Sequence, residues 1–183
     1  MGKDAVLARM KELKQPLHYT VTATTRPQRG GESDGIDYHF LPSPRFEEMV
    51  EKGEFLEWAR VYGHWYGVPR EQVKQALEKG LDVIIKADVQ GAATIKRVAP
   101  QALLIFLAPP SLAEVEERLS KRKTEFSIDL SLRIETAREE MKRLPLFDYV
   151  VVNRQGAVDL AVAQIDAIIA AEKCRVNPRV IEL

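Results

Sequence analysis

The chain has 183 residues, enough for one domain with a sizeable buried core. Its 27 basic and 27 acidic side chains balance, so no global charge favours DNA, RNA or an anionic membrane, and any anion binding has to be local. The longest apolar runs, such as residues 102–108, fall far below the ~20 residues that span a bilayer, and no basic-then-apolar leader opens the chain; the cytoplasm is the expected compartment. The single cysteine, Cys174, cannot form an internal disulfide, which fits a reducing environment, and it reads as a small buried hydrophobe of a late helix.

Val6, Leu7, Met10 and Leu13 recur at helical spacing, which predicts an opening helix over residues 4–13. The β-branched run from His18 to Thr25 predicts one strand, followed by a breaker-rich loop and a short strand at IDYHF. Ser43 and Pro44 read as the cap and first residue of a helix that turns Phe46, Met49 and Val50 inward and stops at Gly53. FLEWARVYGHWYGVP reads as strand, turn and strand, and REQVKQALEKG as a helix closed by Gly80. LDVIIKADV is a strand too apolar for a wet face; QGAATIKRVAP gives a short helix and ALLIFLAPP another buried strand. Ser111 and Glu114 make a capping box for the helix SLAEVEERLSKR. A long helix over about 127–143, the strand DYVVVN and the helix AVDLAVAQIDAIIAAEK complete the order. Apolar strands alternating with helices predict an α/β fold whose parallel sheet is covered on both faces. The polar stretch over about 26–70 reads as an insertion hung from that sheet.

Several side chains carry chemistry. Arg26 and Arg29 flank Pro27 on a glycine-bracketed loop, where Pro27 forbids a helix and two planar guanidinium forks can converge on a phosphate; two solvated loop arginines are the plain alternative. Glu57 sits among apolar neighbours, where a buried carboxylate calls for donors. Guanine offers two adjacent ones, N1–H and the 2-amino group, and adenine does not. Arg118 and Arg122 share a helix face and Arg133 opens the next helix across the TEFSID corner. Convergent cations on such a corner suit phosphoryl transfer, and a solvated helix end is the alternative. Asp88 ends a strand, where open α/β sheets bind ligands, yet a capping acid reads equally well there. His18, His64, Trp58 and Trp65 read as structural.

The segments TTRPQRGGESDGIDYHF, GEFLEWARVYGHWYG, KADVQGAATIKR, IFLAPPS, RLSKRKTE and DYVVVN stand in the order and spacing of guanylate kinases and cover nearly the whole chain, which therefore resembles that family. The resemblance implies a P-loop NTPase-type parallel sheet with helices on both faces. It implies one domain over residues 1–183, with a small GMP-binding lobe over about 26–70 and a helical lid over about 118–133. It also implies transfer of a phosphoryl group from ATP to GMP with Mg2+, and small-molecule substrates rather than nucleic acid or membrane as partners. Residue by residue, Arg26, Arg29, Glu32 and Tyr38 would hold the GMP phosphate, Glu57 would read guanine and Tyr66 would close the pocket. Asp88 would face the magnesium and phosphates, and Arg118, Arg122 and Arg133 would close over ATP. Asn153 would lie beside the adenosine.

Against the family pattern, a P-loop requires a buried strand and then Gly-x-x-x-x-Gly-Lys-Ser/Thr. Here Met1, Gly2, Lys3 and Asp4 stand at its end, so Gly2 and Lys3 are the expected donor-phosphate contacts and Asp4 replaces the magnesium-binding hydroxyl. The strand before them, central to the family's sheet, is expected to be missing. Losing ~5 buried apolar residues would remove about 7–15 kcal/mol, comparable to a whole domain's stability, so a valine codon misread as the start is the expected explanation. Val68 stands where a hydroxyl near guanine O6 is usual, and Lys86 replaces a usual acid, with Asp88 as its guessed partner. Two other readings stay open: an inactive guanylate-kinase-like module that binds proteins, and a kinase of sugar phosphates on the same fold. The three lid arginines speak against the first, Glu57 and Tyr66 against the second.

Overall fold

The computed structural model describes residues 2–111, 135–136 and 138–183. The chain forms two compact units, Met1–Lys14 with Leu103–Arg179, and Gln15–Ala102 with Val180–Leu183. Beyond Ser111, the helix expected over 111–122, with Glu114, lies outside the described residues, as does most of the one expected over 127–143.

In the second unit the β-branched run does not make one strand. It divides into β1 (Leu17–Tyr19), which pairs in parallel with β6 (Asp82–Ile84), and β2 (Thr22–Thr24), which enters another sheet. Between the two, the Gln72 side chain takes over the backbone pairing of Val21, accepting from its N–H at 2.8 Å and donating to its carbonyl at 2.7 Å. A backbone leaving one sheet for another must satisfy its amide and carbonyl somewhere, and a side-chain amide offers both partners at once. β6 is only three residues and half-buried, so the apolar run around it does have partly exposed positions.

The second sheet has the order β3-β2-β5-β4, with β3 (Tyr38–Phe40), β4 (Phe55–Val61) and β5 (His64–Pro69). β4 and β5 form the expected hairpin; its two turn residues, Tyr62 and Gly63, have φ of 47° and 83°, the handedness that matches strand twist. One face of this sheet packs on α2 (Ser43–Glu51) through Ala23, Phe46 and Phe55. The cap of α2 is Pro42 rather than Ser43, which lies inside the first turn. The other face meets α3 (Arg70–Glu78) and α4 (Val89–Val98) through Leu56, Val68, Val73 and Ile95.

In the first unit, α1 (Lys3–Glu12) buries Val6 and Met10 and packs along α5 (Val158–Lys173), which buries Ala161, Val162 and Ile165. An ion pair of 2.6 Å between Arg9 and Asp159 joins their exposed sides. β7 (Ile105–Ala108) and β8 (Tyr149–Val152) pair in parallel, as the apolar runs predict. Arg179, in the tail, is held to this unit by Glu172 at 2.7 Å and Asp148 at 3.6 Å. Cys174 is the cap residue of α5 and exposed, not buried, because the apolar face of the helix ends before it. Among the described residues no helix is long and apolar enough to cross a membrane.

Candidate functional site

Strand register assembles the first group of side chains. Thr22 aligns with Tyr38, Thr24 with Tyr66 and with Phe40, Ala59 with Tyr66, and Glu57 with Val68. Directly paired residues and their i, i+2 neighbours share a face, so Glu57, Tyr66 and Tyr38 lie on one face of the four-stranded sheet. Glu57 is there only because of an irregularity: the register of β4 slips by one between Phe55 and Glu57. Plain alternation from Phe55 would aim Glu57 at α2. The extra residue re-aims it, and Phe55, Leu56 and Glu57 are buried in succession. Glu57 is 5% exposed, and its Oε2 stands 2.5 Å from where a β-carbon on Gly91 would be. Gly91, in the first turn of α4, is thus the residue that lets the carboxylate come so close to a helix backbone.

The loop that follows β2 is folded around Arg26. Its backbone N–H donates to Thr24 Oγ1 at 3.2 Å, and that hydroxyl in turn donates to the Trp65 carbonyl at 2.9 Å. The Arg26 guanidinium, 8% exposed, makes a two-pronged bridge to Glu32 at 2.8 and 3.0 Å and a third bond to the Pro27 carbonyl at 2.7 Å. Glu32 also accepts the Arg29 N–H at 2.8 Å. These partners hold the Glu32 carboxyl below its ordinary range, Arg26 foremost, then the Arg29 amide; Arg26 is raised by Glu32 and further by the Tyr66 hydroxyl. The two arginines predicted to act alike therefore differ. Arg26 closes its fork on Glu32, whereas Arg29 is exposed. Beyond them, Asp37 and Asp34 accept the amides of Ser33 and Phe40 at 2.8 and 2.9 Å, which sets the turn delivering Tyr38.

Tyr38 stands beneath the Arg26 guanidinium, 5.2 Å from the ring centre, and edge-on to Tyr66 at 6.1 Å. Its hydroxyl accepts from Lys86 Nζ at 2.8 Å, where the sequence suggested Asp88 as the lysine's partner. Sequence reasoning missed this pairing because it joins positions 48 apart. Asp88 is the cap of α4: Oδ1 accepts from the amides of Gln90 and Gly91 at 3.0 and 2.8 Å. The capping alternative thus holds, and it does not use Oδ2, an oxygen of the hard, anionic kind that Mg2+ takes alongside phosphates and water. Val68 is fully buried in the core, clustered with Leu56, Val73 and Ile95.

A second group belongs to the other unit. Gly2 caps α1 with φ of 83°, and the Asn153 side chain lies so close to it that a β-carbon would collide with Nδ2. Lys3 and Asp4 occupy the first turn, where the helix dipole favours an acid such as Asp4. Asn153 is 6% exposed and continues the β7–β8 pairing by donating its N–H to the Ala108 carbonyl at 2.8 Å. Lys3 and Asn153 are thereby brought to one end of this unit, while Arg118, Arg122 and Arg133 lie outside the described residues.

The family model described as guanylate kinase matches residues 1–172. The chain is 45% identical over 184 residues to guanylate kinase 2, chloroplastic/mitochondrial, of Oryza sativa subsp. japonica, covering all of this chain and 65% of that protein. It is 45% identical over 175 residues to a guanylate kinase of Thermus thermophilus, covering 96% of this chain and 78% of that one. The crystal structure of guanylate kinase from Anaplasma phagocytophilum superposes with a TM-score of 0.78 at 29% identity, covering 94% of this chain and 83% of that one. A mixed α/β architecture, a buried acid and a tyrosine-lined arginine loop about the four-stranded sheet, and a match along nearly the whole sequence agree: the chain belongs to the guanylate kinase family.

Proposed function

We propose that this chain binds GMP in the lobe over residues 26–70 and transfers to it the γ-phosphoryl group of ATP, giving GDP and ADP. The observation that carries the reading is Glu57, a buried carboxylate re-aimed by a strand irregularity onto the face that bears Tyr38 and Tyr66. Its two oxygens can accept guanine N1–H and the 2-amino group together, and adenine would leave them facing an acceptor and no amino group. Tyr66 flanks the base. The exposed guanidinium of Arg29 and the Tyr38 hydroxyl take the phosphate, and Arg26 with Glu32 keeps the loop in shape.

In the transfer, a GMP phosphate oxygen forms a bond to the γ-phosphorus as the bond to the β–γ bridging oxygen breaks, its electron pair leaving with ADP. Lys3, with Gly2 at the helix start, suits the donor phosphates, and Asn153 suits the adenosine side. By their family positions Arg118, Arg122 and Arg133 supply the cations that offset charge on the moving group. Asp88, through Oδ2, is the acid suited to hold Mg2+, which when bound would neutralise phosphate charge. The chain works as one domain of acceptor lobe, lid over residues 118–133 and core. The exposed thiol of Cys174 agrees with a reducing, cytoplasmic setting.

The test is a coupled assay of ADP release by the purified chain with ATP, Mg2+ and either GMP, AMP or a sugar phosphate. ADP and GDP formed one to one, with GMP alone as acceptor, are the expected result. Saturable GMP binding without any transfer would instead identify a binding module, and turnover of the sugar phosphate would overturn the substrate.

A further inference from the structure

Lys86 occupies a position where the family resemblance leads one to expect an acid, and it sits against the tyrosine of the acceptor-phosphate loop: Nζ is 2.8 Å from Tyr38 Oη and 4.5 Å from the ring centre. An ammonium carries three donors and no acceptor, so in this bond the phenol oxygen must accept. The phenol proton is then excluded from the Lys86 direction and left to donate elsewhere. The ring itself has little freedom: Arg26 lies 5.2 Å above it, Tyr66 meets it edge-on at 6.1 Å, and Phe40 touches it at 5.9 Å. Arg26 and Glu32 cancel each other's charge in their bridge.

We infer that Lys86 is a positioning residue for the acceptor phosphate, orienting the Tyr38 hydroxyl as a hydrogen-bond donor to a phosphate oxygen of the bound nucleoside monophosphate. The inference rests on the reading of the lobe as a GMP site and adds to it the group that sets the direction of one phosphate contact. An acid at this position would accept from Tyr38 and turn its proton away from the phosphate; lysine does the reverse. The consequence is specific to the phosphate and leaves the base contacts at Glu57 alone.

Calorimetric titration with GMP and with guanosine separates the two parts of the ligand. For Lys86→Met we expect GMP to bind about tenfold more weakly and guanosine within about twofold of the parent, since one charge-supported hydrogen bond is at stake. Lys86→Arg should restore most of the GMP affinity. Tyr38→Phe should cost a similar factor, and the Lys86→Met, Tyr38→Phe double variant should be no weaker than the worse single one, because both remove the same contact. Melting temperatures of all variants report folding. Equal loss of GMP and guanosine would reduce Lys86 to a structural role, as would additive losses in the double variant. Unchanged GMP affinity in Lys86→Met, with Glu57→Gln still weakening it, would refute the inference and leave the GMP reading standing. A parent chain that binds neither ligand would remove the GMP reading itself.

Discussion

Replacing Gly91 by alanine should separate recognition from stability. The new β-carbon would stand 2.5 Å from Glu57 Oε2, 2.9 Å from its Cδ and 3.1 Å from the Ala87 β-carbon. These separations fall roughly 0.5–1 Å short of ordinary contact, and the nearest atoms belong to the end of a side chain that can turn. Moving the carboxylate off its preferred rotamer costs about 0.5–1.5 kcal/mol, while exchanging glycine for alanine inside a helix returns about 0.5–1 kcal/mol. The two nearly cancel, so the melting temperature should shift by no more than about 2–4 °C. Binding has no such compensation. A displaced carboxylate loses at least one charge-assisted bond to guanine, about 1.5–3 kcal/mol, or roughly 10- to 150-fold in the dissociation constant. Inosine monophosphate lacks the 2-amino group and should lose less, so the preference for GMP over it narrows. Titration of Gly91→Ala with both nucleotides, beside a thermal melt, is the assay. An unaltered preference for GMP in a folded variant would refute the assignment of Glu57, and a melting point lower by more than about 10 °C would show that the helix, not the carboxylate, takes the clash.

The Arg26–Glu32 bridge should leave an acid-side signature. Glu32 has its folded pKa lowered, so its contribution to stability is complete above the unfolded value, near pH ~4.5, and is lost as pH falls through the lower folded value. The stability difference between the parent and Glu32→Gln, from denaturant unfolding, should be constant above about pH 5 and shrink below it; a difference that persists unchanged to pH ~3 contradicts the bridge. Arg122→Ala should lower kcat on the order of 10²–10³-fold with KM for GMP within a fewfold, in steady-state kinetics. Parallel loss in both would place Arg122 outside the transfer step.

The helices α2 and α3 were readable from local pattern because apolar spacing and a stop residue occur together: Gly53 follows α2 and Gly80 follows α3 at the positions expected. The hairpin of β4 and β5 was readable for the same reason, its turn residues lying between two runs of strand-forming side chains. What escaped is non-local. A continuous β-branched run gave no sign of a break at Thr20 and Val21, because the group that replaces the missing ladder bonds is Gln72, some fifty residues later. The slip before Glu57 leaves no trace in alternation, since Phe55 and Leu56 are both apolar and bury on opposite faces. Arg26 and Arg29 look equivalent in sequence, and only the fold shows that Glu32 claims one of them. The family likeness supplied Tyr38 and Tyr66; the position of Lys86 against Tyr38 is a departure from that likeness and had to come from the structure.

A direct titration of the parent chain with GMP and with AMP, in separate experiments, bears most closely on Glu57 as the guanine reader. Saturable GMP binding at least ~100-fold tighter than AMP, with the margin collapsing in Glu57→Gln, is the predicted result. Equal affinity for the two purines, or a margin that survives Glu57→Gln, would contradict it.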